Sequence, residues 1–231
     1  MTLAPSTAAP QTAGLLADET LDDLRLRLAP LIAANAAFDG WSDAALAVAA
    51  DTAGVDRDVA ALAFSGGALT MIDAWFASVD QAMLDALPAD RLAAMKIRER
   101  ITALVEARLA VLAPNREALR RAQAVLAMPL NLPRATRLGW RAADAMWRAA
   151  GDRAVDYNHY SKRTTLAGVY AATLLVFVND ESTDYVDTRA FLARRIEGIM
   201  RFEKAKGRLT GQTDQHFSMA RFLGRLRYRG R

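Results

Sequence analysis

Residues 51–67 read DTAGVDRDVAALAFSGG. Gly54 ends one helical pattern, Asp56 opens a second that closes at Phe64, and Ser65-Gly66-Gly67 breaks the periodicity before a longer run begins at Ala68. Two short helices therefore meet at a sharp turn just ahead of a long one.

Outward from that turn the same grammar repeats. Helices are predicted at about Leu21 to Ala37, from a Ser42 cap to Ala53, at Asp56 to Phe64, at Ala68 to Leu87 and at Ala89 to Leu112. Further ones follow at Asn115 to Met128, from the elbow to Ala150, at Asp156 to Val178 and at Tyr185 to Lys206. Apolar residues recur at spacings of three and four, and no β-branched alternation bounded by turn dipeptides interrupts them. The fold class is all-α, a bundle of about nine helices. Pro129 and Pro133 bracket Leu130-Asn131-Leu132 as a rigid elbow. The helix over 156–178 is apolar on nearly every face and is expected to be surrounded by others.

The chain has 231 residues, 52% hydrophobic and 24% charged, which suits one or two globular domains and rules out disorder as the main state. With no cysteine there is no disulfide scaffold, thiolate zinc site or iron–sulfur cluster, and a reducing compartment is favoured. Two histidines, His159 and His216, are too few for a His-based metal site. The charge-free run from Thr164 to Val178 falls short of the ~18–20 apolar residues that span a bilayer. Residues 1–18 show neither a charged leader nor a continuous apolar core, and are expected to be a disordered arm.

The net charge of +4 conceals a gradient: residues 1–100 carry 7 basic and 14 acidic side chains, and 201–231 carry 9 and 2. An anionic partner, membrane or nucleic acid, is met at the C-terminus. After a linker at 207–213, residues 214–231 are predicted as an amphipathic helix. Met219, Phe222, Leu223 and Leu226 share about 100° of arc, with Arg221, Arg225, Arg227 and Arg229 at hand for phosphates. Packing on the body, a disordered tail or an RNA-binding tail are the competing readings.

Three short helices followed by about six long ones resemble the TetR-type regulators, and so does the turn: Gly54, Val55 and Phe64 hold the places of the Gly-Val and Phe around their recognition helix. The N-terminal domain, 19–67, is thus helix-turn-helix-like, and 68–206 is a ligand-binding helical body. The positions that would face DNA are Asp56, Arg57, Asp58, Ala60, Ala61 and Ala63. Two carboxylates repel a polyanion and alanines offer no donors to base edges, so the helix-turn-helix is degenerate and no nucleic-acid partner is expected.

Five segments resemble one family more closely: KIRERITALVEARL at 96–109, LAMPLNLP at 126–133, MWRAAGD at 146–152, DYNHYSKR at 156–163 and FLARRIEGIM at 191–200. They are similar to the family of the ninth Coq protein, ubiquinone-biosynthesis accessory proteins with a TetR-like fold. The resemblance implies a non-enzymatic homodimer that binds an isoprenoid quinone precursor and presents it to the di-iron demethoxyubiquinone hydroxylase. No cofactor is expected, only a bound isoprenoid lipid or phospholipid. The expected location is the bacterial cytoplasm, peripheral on the inner face of the inner membrane.

Candidate lipid-binding residues are Leu166, Tyr170, Leu174 and Phe177, bulky groups interleaved with Ala167, Gly168 and Ala171. Met128, Trp140, Met146 and Trp147 join them because thioethers and indoles adapt to irregular chains. A tightly packed core is the competing reading. The resemblance places hydroxylase docking on Asp156, Asn158, His159, Tyr160 and Arg163, with His159 standing where animal members carry tryptophan; a solvated first turn capped by Asp156 is the alternative.

Catalysis finds no support in the sequence. Asp180, Glu181, Asp184 and Asp187 lack the glycine and spacing of a calcium loop and read as helix caps. There is no Gly-rich phosphate loop and no nucleophile–base pair in fixed relation. A TetR-type regulator with an apolar effector is the rival reading from another class.

Overall fold

The computed structural model describes residues 19–152 and 157–213. Among them are ten α-helices and no strand: α1 (Leu21–Asp39), α2 (Asp43–Ala53), α3 (Arg57–Ala63), α4 (Ala68–Ala86), α5 (Ala89–Ala93), α6 (Ile97–Leu112), α7 (Arg116–Leu126), α8 (Leu132–Ala149), α9 (Tyr157–Phe177) and α10 (Val186–Thr213). The expected arm at 1–18 and amphipathic helix at 214–231 lie outside the described residues, and with them Met219, Arg221, Phe222, Leu223, Arg225, Leu226 and Arg229.

The helix starts are written in short polar side chains. Thr20 and Asp23 cap α1 reciprocally, the hydroxyl accepting from the Asp23 N–H at 3.2 Å and the carboxylate from the Thr20 N–H at 3.3 Å. Ser42 accepts from the Ala45 N–H, and Asp56 accepts from the N–H groups of Asp58 and Val59. Gly54 ends α2 at φ +66, a left-handed conformation that favours glycine, and so turns the chain into α3.

α1 packs on α2 and α3 and also on α4 and α7, so one continuous apolar core runs from Leu24 to Ile196. Trp41, Trp75 and Phe76 stack in sequence through it, with ring centroids 5.2 and 5.5 Å apart. Of the α3 positions expected to face DNA, Ala60 and Ala63 are buried and Arg57 pairs with Asp51 at 2.6 Å, while Asp56, Asp58 and Ala61 are exposed.

Three boundaries differ from the sequence expectation. The helix expected over 89–112 is broken between α5 and α6, because Lys96 is extended and its N–H is taken by Glu99 at 2.9 Å. Arg100 then ties the break together by donating to the carbonyls of Ala93, Met95 and Ala150. The elbow narrows to Pro129–Asn131, a single 3₁₀ turn, and Pro133 lies inside the first turn of α8, where its missing N–H is not needed. The linker expected at 207–213 is helical, the last part of α10; Gly207 and Gly211 each cost only about 1 kcal/mol relative to Ala, and propagation adds a hydrogen bond per residue.

α9 is also less enclosed than its composition suggests. Leu166, Tyr170, Thr173, Leu174 and Phe177 are buried, but Gly168, Ala171 and Leu175 are exposed, Leu175 by 60%. No single helix among the described residues is long and apolar enough to cross a membrane.

Candidate functional site

The bare side of α9 borders an apolar groove of about 420 Å³ between α4, α7, α8 and α9. Small residues make the space: Ala135, Gly139 and Ala142 from α8 face Ala167 and Ala171 from α9. Phe76, Leu126, Leu138 and Leu174 supply its apolar walls, and Gln123 and Tyr170 are the polar residues in the lining. Exposed aliphatic groups stand close by in sequence, with Leu130 94%, Met128 55% and Leu132 52% exposed around the elbow. Room for a guest molecule thus comes from alanine and glycine on one side of each helix, as expected for α9. On α8 the same pattern escaped notice; Ala135, Gly139 and Ala142 recur at helical spacing and were the available signal.

The expected lipid contacts divide. Tyr170 and Leu174 line this groove, while Trp147 and Leu166 line a second apolar cavity of about 230 Å³ with Ile97, Ile101 and Ile196. Met146 and Phe177 are wholly buried core residues outside both linings. Met128 is exposed at the elbow, and Trp140 is half-buried against His159 and Tyr160.

Behind the groove lies a chain of charge that the sequence did not announce. Arg108 of α6 is fully buried and pairs through one Nη with Asp80 of α4. Asp80 also lies 3.3 Å from Nε of Arg141, which bonds Asp73, itself shared with Arg134. The Arg108 guanidinium carbon is 4.9 Å from the centre of the Tyr170 ring, a cation–π contact. Nε and Nη2 of Arg108 and the Tyr170 hydroxyl are buried away from solvent, and the two side chains interact with each other. Burial pushes the Tyr170 hydroxyl above its ordinary pKa, so it remains a neutral donor. Burial works against the Arg108 charge, but Tyr170 and Asp80 outweigh it and hold the guanidinium protonated.

At the start of α9, Trp140, His159 and Tyr160 form an aromatic group with centroid separations of 5.9 Å for Trp140–Tyr160 and 5.1 Å for His159–Tyr160. Tyr160 is 60% exposed. Arg163, expected to contact a partner, is instead 1% exposed, held by Asp144 at 2.6 Å and Asp152 at 3.1 Å. Its place on the inward side of α9, where its charge needs counter-ions, makes it a support for the surface above. Lys162 bonds Asp152 at 2.9 Å. Burial raises the Asp152 pKa, but the hydrogen bonds from Lys162 and Arg163 outweigh it and hold the carboxyl below its usual range. Asp156 and the side chain of Asn158 lie outside the described residues.

Residues 132–203, which hold α8, α9 and much of α10, match the COQ9 family model. The rat mitochondrial ubiquinone biosynthesis protein COQ9 is 32% identical over 167 residues, 70% of this chain and 54% of that protein. The chain is similar to the COQ9 family. The bovine COQ9 protein is 42% identical over 96 residues, which cover 42% of this chain and 30% of it. The chain spans about half the length of the rat protein and less of the bovine one. Its fold is similar to that of a TetR transcriptional regulator from Nitrosomonas europaea, with a TM-score of 0.60 and 26% identity over 75% of this chain and 96% of that one. The TetR-like, all-α expectation is therefore met. The expected location in the bacterial cytoplasm, at the inner face of the inner membrane, is corrected: the rat, bovine and human relatives are mitochondrial proteins by name.

Proposed function

We propose that this chain serves ubiquinone biosynthesis without catalysing a step, by holding an isoprenoid quinone intermediate in the α4–α7–α8–α9 groove and presenting it to the di-iron demethoxyubiquinone hydroxylase. The apolar groove of about 420 Å³ carries the reading, because its size and lining suit part of a polyprenyl chain. Each buried CH₂ contributes about 0.8 kcal/mol, so a few isoprene units outweigh the cost of ordering them. The Trp140–His159–Tyr160 group, with exposed Tyr160, supplies an aromatic anchor for the hydroxylase. The basic residues of 201–231 suit an anionic lipid surface, each adding about 1 kcal/mol near it. Association of two copies over the exposed Leu130, Leu132 and Leu175 fits the same arrangement.

Organic extraction and mass spectrometry of the purified protein test the groove. An isoprenoid quinone species near one per chain is expected, falling severalfold in Ala171→Trp, which blocks the lining from an exposed position. No lipid in the wild type, or equal lipid in both proteins, would refute the reading. The regulator alternative has its fold neighbour in its favour, but buried Ala60 and Ala63 leave α3 few groups for reading bases.

A further inference from the structure

α8 borders a second space besides the groove. Toward α1 and α4 it presents Arg134 and Arg141 to a cleft of about 420 Å³ that shares no lining residue with the groove. Arg25 of α1 and Asp73 of α4 complete the charged wall, and Leu26, Ala74 and Ala77 supply apolar surface. Asp22, its side chain 85% exposed, stands at the rim.

The charges at this cleft do not cancel. Arg108, Asp80, Arg141, Asp73 and Arg134 form one chain of ion pairs, three guanidiniums against two carboxylates. Arg108 is its inner end, fully buried on Asp80, and Arg134 its outer end, with a side chain 37% exposed, so the surplus positive charge faces the cleft. Arg25 and Asp22 pair and add no net charge. The cleft also has donors to spare. Arg134 gives one Nη to Asp73, while its Nε and other Nη bond nothing among the described residues. Arg25 gives Nε to the Ala63 carbonyl and one Nη to Asp22, and its second Nη is free among the same residues. None of these three nitrogens is walled off from solvent. Asp73 accepts from Arg141 on one carboxylate oxygen and from Arg134 on the other, which ties its charge to the wall.

We infer that the α1–α4–α8 cleft binds a singly charged phosphate group, a phosphodiester. One negative charge balances the surplus, and a second would face Asp22 and Asp73 without a counter-ion. Guanidiniums that reach in from α1 and α8 suit a tetrahedral group, whose oxygens point in several directions, better than a planar carboxylate. The volume exceeds what a bare ion fills and lies in the range of organic ligands. The ester substituents then lie on Leu26, Ala74 and Ala77. A soluble phosphodiester and a phospholipid head share this chemistry. The cleft stands apart from the groove, so an empty groove leaves this inference intact and an empty cleft leaves the groove reading intact.

Isothermal titration of the full chain at low ionic strength, with thermal melting beside it, tests this. The probes are dimethyl phosphate, dihexanoyl phosphatidylglycerol below its micelle concentration, and acetate. Wild type is expected to bind both phosphodiesters, and acetate more weakly than either. Arg134→Gln is expected to bind them about tenfold more weakly, as for loss of one charge-assisted hydrogen bond, with a Tm near that of wild type because Arg141 still holds Asp73. Asp22→Asn, at an exposed position, is expected to bind severalfold more tightly, since it frees Arg25 and removes a negative charge from the rim. This second variant decides the matter if Arg134→Gln fails to fold. Tighter binding of the lipid supports the site with a phospholipid head as its source, and equal binding supports it with a soluble phosphodiester. No phosphodiester binding by wild type, unchanged affinity in Arg134→Gln, no tightening in Asp22→Asn, or acetate bound as well as dimethyl phosphate would each overturn the assignment.

Discussion

Trp41 donates from its indole N–H to the carbonyl of Ala118 at 3.1 Å, across 77 positions of sequence. Trp41 sits between α1 and α2, and Ala118 in the first turns of α7, so this bond fastens the short N-terminal helices to the body. Here a buried indole, 5.2 Å from Trp75 and 7% exposed, sits in the joint.

Trp41→Ala is expected to destabilise the fold by about 3–5 kcal/mol, the range for emptying a buried aromatic site. Trp41→Phe retains most of the volume and loses the hydrogen bond, so a smaller loss, from about 1 kcal/mol upward, is expected. Urea unfolding of both variants, read as a difference in midpoint, checks the order.

The Arg163 cluster makes a second prediction. Asp152→Asn leaves a guanidinium that is 1% exposed with Asp144 as its remaining counter-ion, and a loss of about 1–3 kcal/mol is expected. Tyr160→Ala, at an exposed position above it, should change stability by less than about 0.5 kcal/mol. Retention of full stability in Asp152→Asn would show that the ion pair adds nothing.

Asp180 makes the stability depend on pH. Its carboxylate accepts from the N–H and hydroxyl of both Ser182 and Thr188, the two N–H bonds at 2.8 Å. Burial raises its pKa, but these bonds outweigh it and hold the group far below the ordinary carboxylate range. The folded state then binds the proton less readily than the unfolded chain does. The stabilisation is complete above the unfolded value of about 4 and is lost as pH falls from there toward the folded one. The gap between wild type and Asp180→Asn should be widest near pH 6–7 and narrow below about pH 4, as chemical denaturation at a series of pH values will record.

Two glycines should respond with opposite sign. Gly151 has φ +90, and an added Cβ would stand 3.3 Å from an Nη of Arg100, so Gly151→Ala should cost roughly 1–2 kcal/mol. Gly139 is helical, and its added Cβ would meet Ala167 at an ordinary 3.9 Å. Gly139→Ala should therefore gain about 0.5–1 kcal/mol. Thermal melts of the two variants decide both.

Particular residues show how far the sequence could be read. Ser42, Gly54 and Asp56 announce helix ends because a cap acts on groups two or three residues away. The break before α6 was missed because Lys96 is no capping residue; its N–H is held by Glu99, and Arg100 secures the join by reaching Ala150. The lining of α9 was partly legible through Ala167 and Ala171, while Arg163 was placed on the surface because one helix cannot show which of its sides another will cover.

Local chemistry in the chain determined the all-α class and the likeness to the COQ9 family, since periodicity, caps and motifs are all contained in short spans of residues. Tertiary structure alone decided that small residues of α8 and α9 meet across an open groove, and that Arg108 lies against Tyr170, 62 positions further along. The reason is physical: burial, pairing and empty space are properties of what helices far apart in sequence bring together, and no single helix carries them.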